Sequence, residues 1–362
     1  MQWFALILIL PYFFLLLKIY NNLRKIRPFC TGESNRLLVS VIIACHNEEK
    51  NIIPLLHNIS VQDYPPEFLE VIIIDDNSSD RTLEKASAFT GIEKLKVIKS
   101  IGKGKKTAIK TGVIASSGNL IITTDADCSM GKKWISTIAA FYCKYGPDMI
   151  ICPVTLESNP GFLGRFQELE FLSLQGVTAG SATGGKASMC NGANLAFTRK
   201  AFQEHSDNLH YEIDSGDDVF FLHSLKKDVR SKIMWLESAE ALVTAFPSIT
   251  LLSFLKQRKR WISKGKAYTD KFTIGLAIVT FVTITILTIL LIAGLFFREY
   301  LLTFLVAFTL KSVPDYLVLF NTASRYGNIR LMKWFLPSQL IYPFYVLAVS
   351  CYSLVTVRRS DT

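Results

Sequence analysis

The sequence predicts an α/β fold, a mostly parallel sheet flanked by helices, with membrane-spanning helices before and after it. Three observations predict it. Between residue 38 and about residue 245, short β-branched runs alternate with helical stretches, the pattern of strands joined through helices. Long apolar runs without charge concentrate at the two ends, where they account for a positive mean hydropathy of +0.29 in a chain of 362 residues. Acidic clusters close several of the central apolar runs, and ligands of such sheets bind at the carboxyl ends of strands.

The N-terminal element is an apolar run from Trp3 to Leu17, extended through Tyr20. A cleaved signal peptide carries its positive charge before the apolar core. Here Lys18, Arg24, Lys25 and Arg27 follow the run, so residues 1–22 read as a retained anchor with the chain beyond them cytosolic. Pro11 within it is tolerated in a membrane helix. Residues 271–362 form a second membrane region, with spans expected at 272–297, 300–320 and 334–357. The middle one carries Lys311, Pro314 and Asp315; it either spans or lies partly in the interface, and Lys311 and Asp315 share a helix face on which they can pair. Three C-terminal spans put Arg358 and Arg359 outside, against the charge rule. Ahead of these spans, residues 251–270 read as a basic amphipathic interfacial helix, with Gln257-Arg258-Lys259-Arg260-Trp261 supplying cations and a Trp anchor.

The formal charge of +10 raises the question of nucleic acid. No nucleic-acid motif accompanies it, and the basic residues cluster around 99–110 and 256–266, where anionic lipid and a diphosphate explain them. The reading is a bilayer partner and no nucleic acid. Seven cysteines form no Cys-x-x-Cys pair and have no His at zinc spacing; they read as core thiols of a reducing compartment.

Residues 36–250 are expected to form the catalytic domain. Leu38 to Ala44 suits a buried strand, Glu48 to Ile59 a helix, Val71 to Ile74 a strand ending in Asp75-Asp76-Asn77-Ser78-Ser79-Asp80, and Leu120 to Thr124 a strand ending in Asp125-Ala126-Asp127. Gly180 to Gly185 reads as a mobile loop. Asp125 and Asp127 point the same way if extended, and paired carboxylates invite a divalent cation, Mg2+ or Mn2+; two turn-capping aspartates are the plainer alternative. Asp75 and Asp76 either receive hydrogen bonds from a nucleoside or cap their own turn. The stretch Gly102 to Thr107 lacks Walker A spacing, yet Lys105 in a glycine-rich turn can meet phosphate, or simply be solvated. Asp217 and Asp218 fall at an expected helix start, which favours carboxylates regardless of function; one of them can also serve as a general base.

Taken in order, these pieces resemble the family 2 glycosyltransferases of GT-A fold. The matching residues are Val39 through Glu49, Val71 through Thr82, Gly104-Lys105, Thr124 through Asp127, Asn191 through Phe197, Asp217-Asp218 and Gln257-x-x-Arg260-Trp261, which together cover residues 38–265. The resemblance implies an enzyme that transfers sugar from a nucleotide-diphosphate sugar, with UDP as the implied nucleotide, and inverts the anomeric carbon. It places Asp75, Asp76, Asn47, Glu48, Lys105 and Asp125 at the donor, Asp125 and Asp127 at the metal and diphosphate, and Asp218 with Asp217 at the acceptor as catalytic acids, Asp218 being the base. Gln257, Arg260 and Trp261 would serve the diphosphate and the acceptor sugar.

The third acidic site reads Gly-Asp-Asp where polymer synthases of the family show Thr-Glu-Asp, and three C-terminal spans leave little for a polymer channel. The expected acceptor is therefore a membrane lipid or lipid-linked saccharide, with the protein integral to the cell inner membrane. A processive polysaccharide synthase, a sugar nucleotidyltransferase and a non-catalytic scaffold are the rival readings. The glycine-rich first loop of a nucleotidyltransferase is missing around Ala44 to Glu49.

Overall fold

The structure is a computed structural model describing residues 3–30, 36–157, 159–213 and 215–357. In chain order its elements begin with α1 (Phe4–Lys25), β1 (Val39–Cys45), α2 (Ile52–Ser60), β2 (Leu69–Asp75), α3 (Thr82–Ser87), β3 (Leu95–Lys99), α4 (Lys105–Ala115) and β4 (Leu120–Thr123). There follow β5 (Ser129–Met130), α5 (Trp134–Tyr145), β6 (Met149–Ile151), β7 (Val154–Leu156), α6 (Phe162–Thr183), β8 (Leu195–Thr198), α7 (Arg199–His205) and α8 (Asp217–Leu225). The last are β9 (Ile233–Trp235), β10 (Val243–Ala245), α9 (Leu251–Ser263), α10 (Lys271–Phe296), α11 (Arg298–Arg325) and α12 (Phe335–Val357).

Two compact units result. The sheet unit comprises Ile26–Glu157 and Met189–Phe246. Its main sheet has the order β3-β2-β1-β4-β8-β6-β9, with β8 antiparallel to both neighbours and the other pairs parallel. A three-stranded sheet, β5-β10-β7, completes the unit. Val71, Ile72, Ile73 and Ile74 are all fully buried, as are Val39, Val41 and Ile43, which is why these runs are continuously apolar: helices cover the parallel strands on both faces. Gly112 of α4 lies against β1 and β2 so closely that a Cβ there would come within 2.6 Å of Ile42 and 2.7 Å of Ile74. That contact aims the start of α4 at the ends of these strands. The strand order turns back between β1 and β4, the place where an open α/β sheet leaves a crevice for ligand.

The helical unit comprises Met1–Lys25, Ser158–Ser188 and Pro247–Thr362. Four of its helices are long and apolar enough to cross a bilayer: Phe4–Lys25, Lys271–Phe296, Arg298–Arg325 and Ile329–Ser353. In α1 the buried residues Ile9, Tyr12, Leu16, Ile19 and Leu23 recur at helical spacing and form one stripe. Ile9 joins Leu287, Leu290, Phe304 and Ala307 in a core shared with α10 and α11. Lys311 and Asp315 do pair, at 2.7 Å, and the Tyr12 hydroxyl donates to Asp315 at 2.6 Å. Arg358 and Arg359 lie outside the described residues.

Three expectations are corrected. The expected catalytic stretch 36–250 is not continuous, because residues 158–188 belong to the helical unit. Nor is Gly180 to Gly185 a mobile loop: α6 runs through Thr183. The reason for both is close packing, since a Cβ on Gly176 would overlap Thr322 and one on Gly180 would overlap Ile19; small residues let helices approach here. Of the seven cysteines, all free, Cys45, Cys128 and Cys152 are buried, but Cys30, Cys143 and Cys351 are exposed, so only part of the set serves as core.

Candidate active site

The site is built where β1, β2 and β4 end and α4 begins. Past β1, the residues Asn47 and Glu48 are clamped by the turn past β2. Asn47, at a φ of 58° that asparagine tolerates better than most residues, accepts from the Ser79 N–H at 2.8 Å and donates its own N–H to Ser78 at 3.0 Å. The Glu48 N–H donates to Thr82 at 2.7 Å, and the Glu49 N–H to Asp80 at 3.1 Å. Two loops distant in sequence thus hold each other's orphan backbone groups.

Asp75 and Asp76 part company. Asp75 ends β2, is buried, and accepts from the Ser78 N–H at 3.3 Å; this is the turn-capping role that its sequence left open. Asp76 points onward, and both of its carboxylate oxygens accept the Gly104 N–H at 3.0 Å. Gly104 has a φ of 94° and caps the start of α4, a conformation for which glycine is the default.

Lys105 follows immediately and connects the remaining acids. Its ammonium lies 2.5 Å from Asp125. Burial works against its charge, but Asp125, then Asp217 and Asp218, outweigh that and hold it well above the usual lysine range. The side chains of the Lys105–Asp125 pair remain about a third exposed, so solvent screens the pair and limits its worth to stability.

Gly192 closes the ring. It is the residue whose role sequence reasoning missed, although it lay within a quoted motif. A Cβ on it would meet Asp217 at 3.2 Å, Lys105 at 3.5 Å and Asp218 at 3.8 Å; its small size between Asn191 and Ala193 was the only available signal. Its N–H donates to Asp218 at 3.0 Å, and the Val219 N–H donates to the other carboxylate oxygen at 2.8 Å. Two backbone donors therefore fix the Asp218 carboxylate at the start of α8. Nearby, Asn194 is wholly buried, receiving Trp134 and donating to Pro153 and Ala241, which anchors the segment behind Gly192.

Asp127 lies in an acid-rich corner. Burial first, and the neighbouring Asp125 second, push its carboxyl above the ordinary aspartate range. Glu48 is also raised, by burial first; an Asn51 hydrogen bond opposes this, and Asp127 and Asp125 add to it. Among the described residues no group of three His, Cys, Asp or Glu side chains is gathered as a complete metal site. Asp125 and Asp127 nevertheless fit a hard divalent cation in part: they are oxygen donors whose mutual repulsion a cation would relieve.

Gln257, Arg260 and Trp261 are in α9, in the helical unit. Arg260 is exposed and Trp261 partly exposed. The Gln257 side-chain oxygen accepts from Arg258 at 2.5 Å and from the Ser248 hydroxyl at 3.4 Å.

A mixed sheet of this strand order, with acids and a lysine at its ligand edge, is the GT-A architecture. Its likeness to the mannosyltransferase PcManGT of Pyrobaculum calidifontis, solved with GDP-Man and Mn2+, covers 98% of this chain and 99% of that one, with a TM-score of 0.58 and 16% identity; at that identity it speaks for fold alone. Residues 40–206 match the model of glycosyl transferase family 2. It is 34% identical over 114 residues to the glycosyltransferase AglE of Haloferax volcanii, covering 31% of this chain and 38% of that one. With the poly-beta-1,6-N-acetyl-D-glucosamine synthase of Staphylococcus epidermidis it shares 25% identity over 268 residues, 70% and 60% of the two chains. With the beta-monoglucosyldiacylglycerol synthase of Trichormus variabilis it shares 26% over 235 residues, 63% and 48%. The matches to these last three relatives each span less than two thirds of that relative's length.

Proposed function

We propose that the chain is an inverting, metal-dependent glycosyltransferase of the cell inner membrane. In this reading its cytosolic sheet unit takes sugar from a nucleotide-diphosphate donor, a UDP-sugar, and passes it to a membrane lipid or lipid-linked saccharide. One observation carries the reading: Lys105, at the positive start of α4, faces Asp125, Asp217 and Asp218 beside the bare backbone of Gly192.

Each group then has a chemical task. The start of α4 and the Lys105 ammonium attract the diphosphate. Asp76, with Asn47 and Glu48 across the adjoining loop, borders the nucleoside. Asp127 and Asp125 would hold Mg2+ or Mn2+, which when bound neutralises charge on the departing diphosphate. Asp218, oriented by the Gly192 and Val219 N–H groups, takes the proton of the acceptor hydroxyl as that oxygen attacks the anomeric carbon. Bond formation on one face and loss of the nucleoside diphosphate from the other give inversion. Gln257, Arg260 and Trp261 are assigned to diphosphate and acceptor on resemblance.

Support for a lipid acceptor comes from four helices long and apolar enough to cross a bilayer and from the Gly216-Asp217-Asp218 sequence, which departs from the polymer synthases. A processive synthase is the second reading, favoured by the relative named for one that matches 70% of this chain. Detergent-solubilised protein given radiolabelled donors and lipid extract separates the two: a single labelled lipid supports the first, long alkali-stable polymer the second. Asp218→Asn should abolish transfer, a loss of at least about a hundredfold for a general base, with nucleotide-sugar affinity nearly intact. Equal loss of affinity would reassign Asp218 to the donor.

A further inference from the structure

Gln257-Arg258-Lys259-Arg260-Trp261 contains two arginines that charge alone does not distinguish, and the structure separates them. Arg260 is exposed, whereas Arg258 is 3% exposed. A buried guanidinium is stable only when its donors are met, and each edge of this one is engaged. Its Nε donates to the two carboxylate oxygens of Glu170 in α6, at 3.1 and 2.9 Å, and an Nη joins the same carboxylate. The other Nη donates to the Gln257 side-chain oxygen at 2.5 Å. The flat of the guanidinium lies 4.1 Å from the centre of the Trp261 ring and 4.6 Å from that of Phe254, within cation–π range. Glu170 is itself held by the Tyr345 hydroxyl of α12 at 2.6 Å, and Tyr345 stacks on Phe254 at 5.3 Å.

We propose that Arg258 is a positioning residue which sets the working orientation of Gln257 and Trp261 by bracing both against Glu170; this rests on the reading of those two residues given above. Two chemical consequences follow. With its amide oxygen engaged by Arg258, Gln257 has only N–H donors left to offer, the polarity that phosphate oxygens and sugar hydroxyls accept. With one face of Trp261 covered by the guanidinium, a sugar ring can stack only on the other, so the acceptor is presented from a single side. A lysine cannot replace this arrangement, because its point charge has no planar fork to span Glu170 and Gln257 together and no flat face for Trp261.

The test uses the full chain in detergent, labelled with 5-fluorotryptophan. Five tryptophans give five fluorine signals, and Trp261→Phe identifies its own. Arg258→Lys is expected to move the Trp261 signal while the other four hold. Using whichever of UDP-glucose, UDP-N-acetylglucosamine or GDP-mannose is consumed, it should lower transfer to lipid extract in mixed micelles at least tenfold. Hydrolysis of that donor and its affinity in the presence of Mn2+ should fall by a smaller factor than transfer does. Glu170→Gln should act in the same direction more weakly, and serves as the second variant should Arg258→Lys not fold. A Trp261 signal and a transfer rate both unchanged in these variants overturn the proposal, as do five signals moving together, which mark general loosening. Trp261→Ala separates the two levels: if it loses transfer while Arg258→Lys keeps it, only the bracing role fails. If neither variant loses transfer, the acceptor role assigned to the motif fails too.

Discussion

At the scale of single residues, the site depends on how little lies between Lys105 and the acids around it. Gly192 illustrates this, because its missing side chain is what lets Asp217, Asp218 and Lys105 gather. Gly192→Ala should fold, since its Cβ would need neighbours to yield only a few tenths of an ångström, but the yielding neighbours are the proposed catalytic groups. The expected result is a fall in kcat of about tenfold, milder than the hundredfold of a 1 Å misplacement, with thermal midpoint little changed; an unaltered kcat would remove Gly192 from the site. Asp127 gives a prediction of opposite character. Its carboxyl is raised by burial and by Asp125, so ionising it costs the folded state stability. That cost is absent at low pH and grows as pH rises from the ordinary aspartate range through the raised value. At neutral pH, metal-free Asp127→Asn should therefore melt higher than wild type, and Mn2+ should raise the midpoint of wild type but not of the variant. Melting curves with and without Mn2+ check both statements.

At the scale of elements, α4 is the organising piece of the sheet unit. Gly112 sets it on β1 and β2, Gly104 at its start receives Asp76, and Lys105 reaches the acids after β4 and at the head of α8. The strands and their acidic ends were legible because buried parallel strands are unbroken apolar runs. That Lys105 faces the acids, while Lys106 is buried and donates to the carbonyls of His210 and Ile213, was not legible, since those partners are a hundred residues away. In the helical unit, the Lys311–Asp315 pair in α11 was legible from spacing, but its third member, Tyr12, comes from the other end of the chain. Lys311→Met leaves Asp315 buried without its cation and should destabilise the unit by about 3–5 kcal/mol. The double variant Lys311→Met with Asp315→Leu should recover much of this. Thermal melts in detergent of the single and double variants measure the coupling, and additive losses would show that the pair is not coupled.

At the scale of the molecule, one chain contributes to two units by crossing between them, and this is where sequence reasoning met its limit. Residues 158–188 carry glutamates, glutamines and small residues that read as part of a soluble domain or a loop. Gly176 and Gly180 instead serve close helix packing against α11 and α1, a pairing that depends on segments far away in the sequence. Residues 40–206 match the model of glycosyl transferase family 2, and the parallel strands β1, β2 and β4 end at one edge of the sheet, which brings the acids that follow them together. The function proposed from that convergence is tested most directly by the stereochemistry of transfer. Purified protein in lipid nanodiscs, given anomerically defined UDP- and GDP-sugars with Mn2+, should consume one donor and place a single sugar on a lipid with inverted anomeric configuration, followed by NMR, and Asp218→Asn should give none. Retained configuration, or full transfer by Asp218→Asn, would contradict the account.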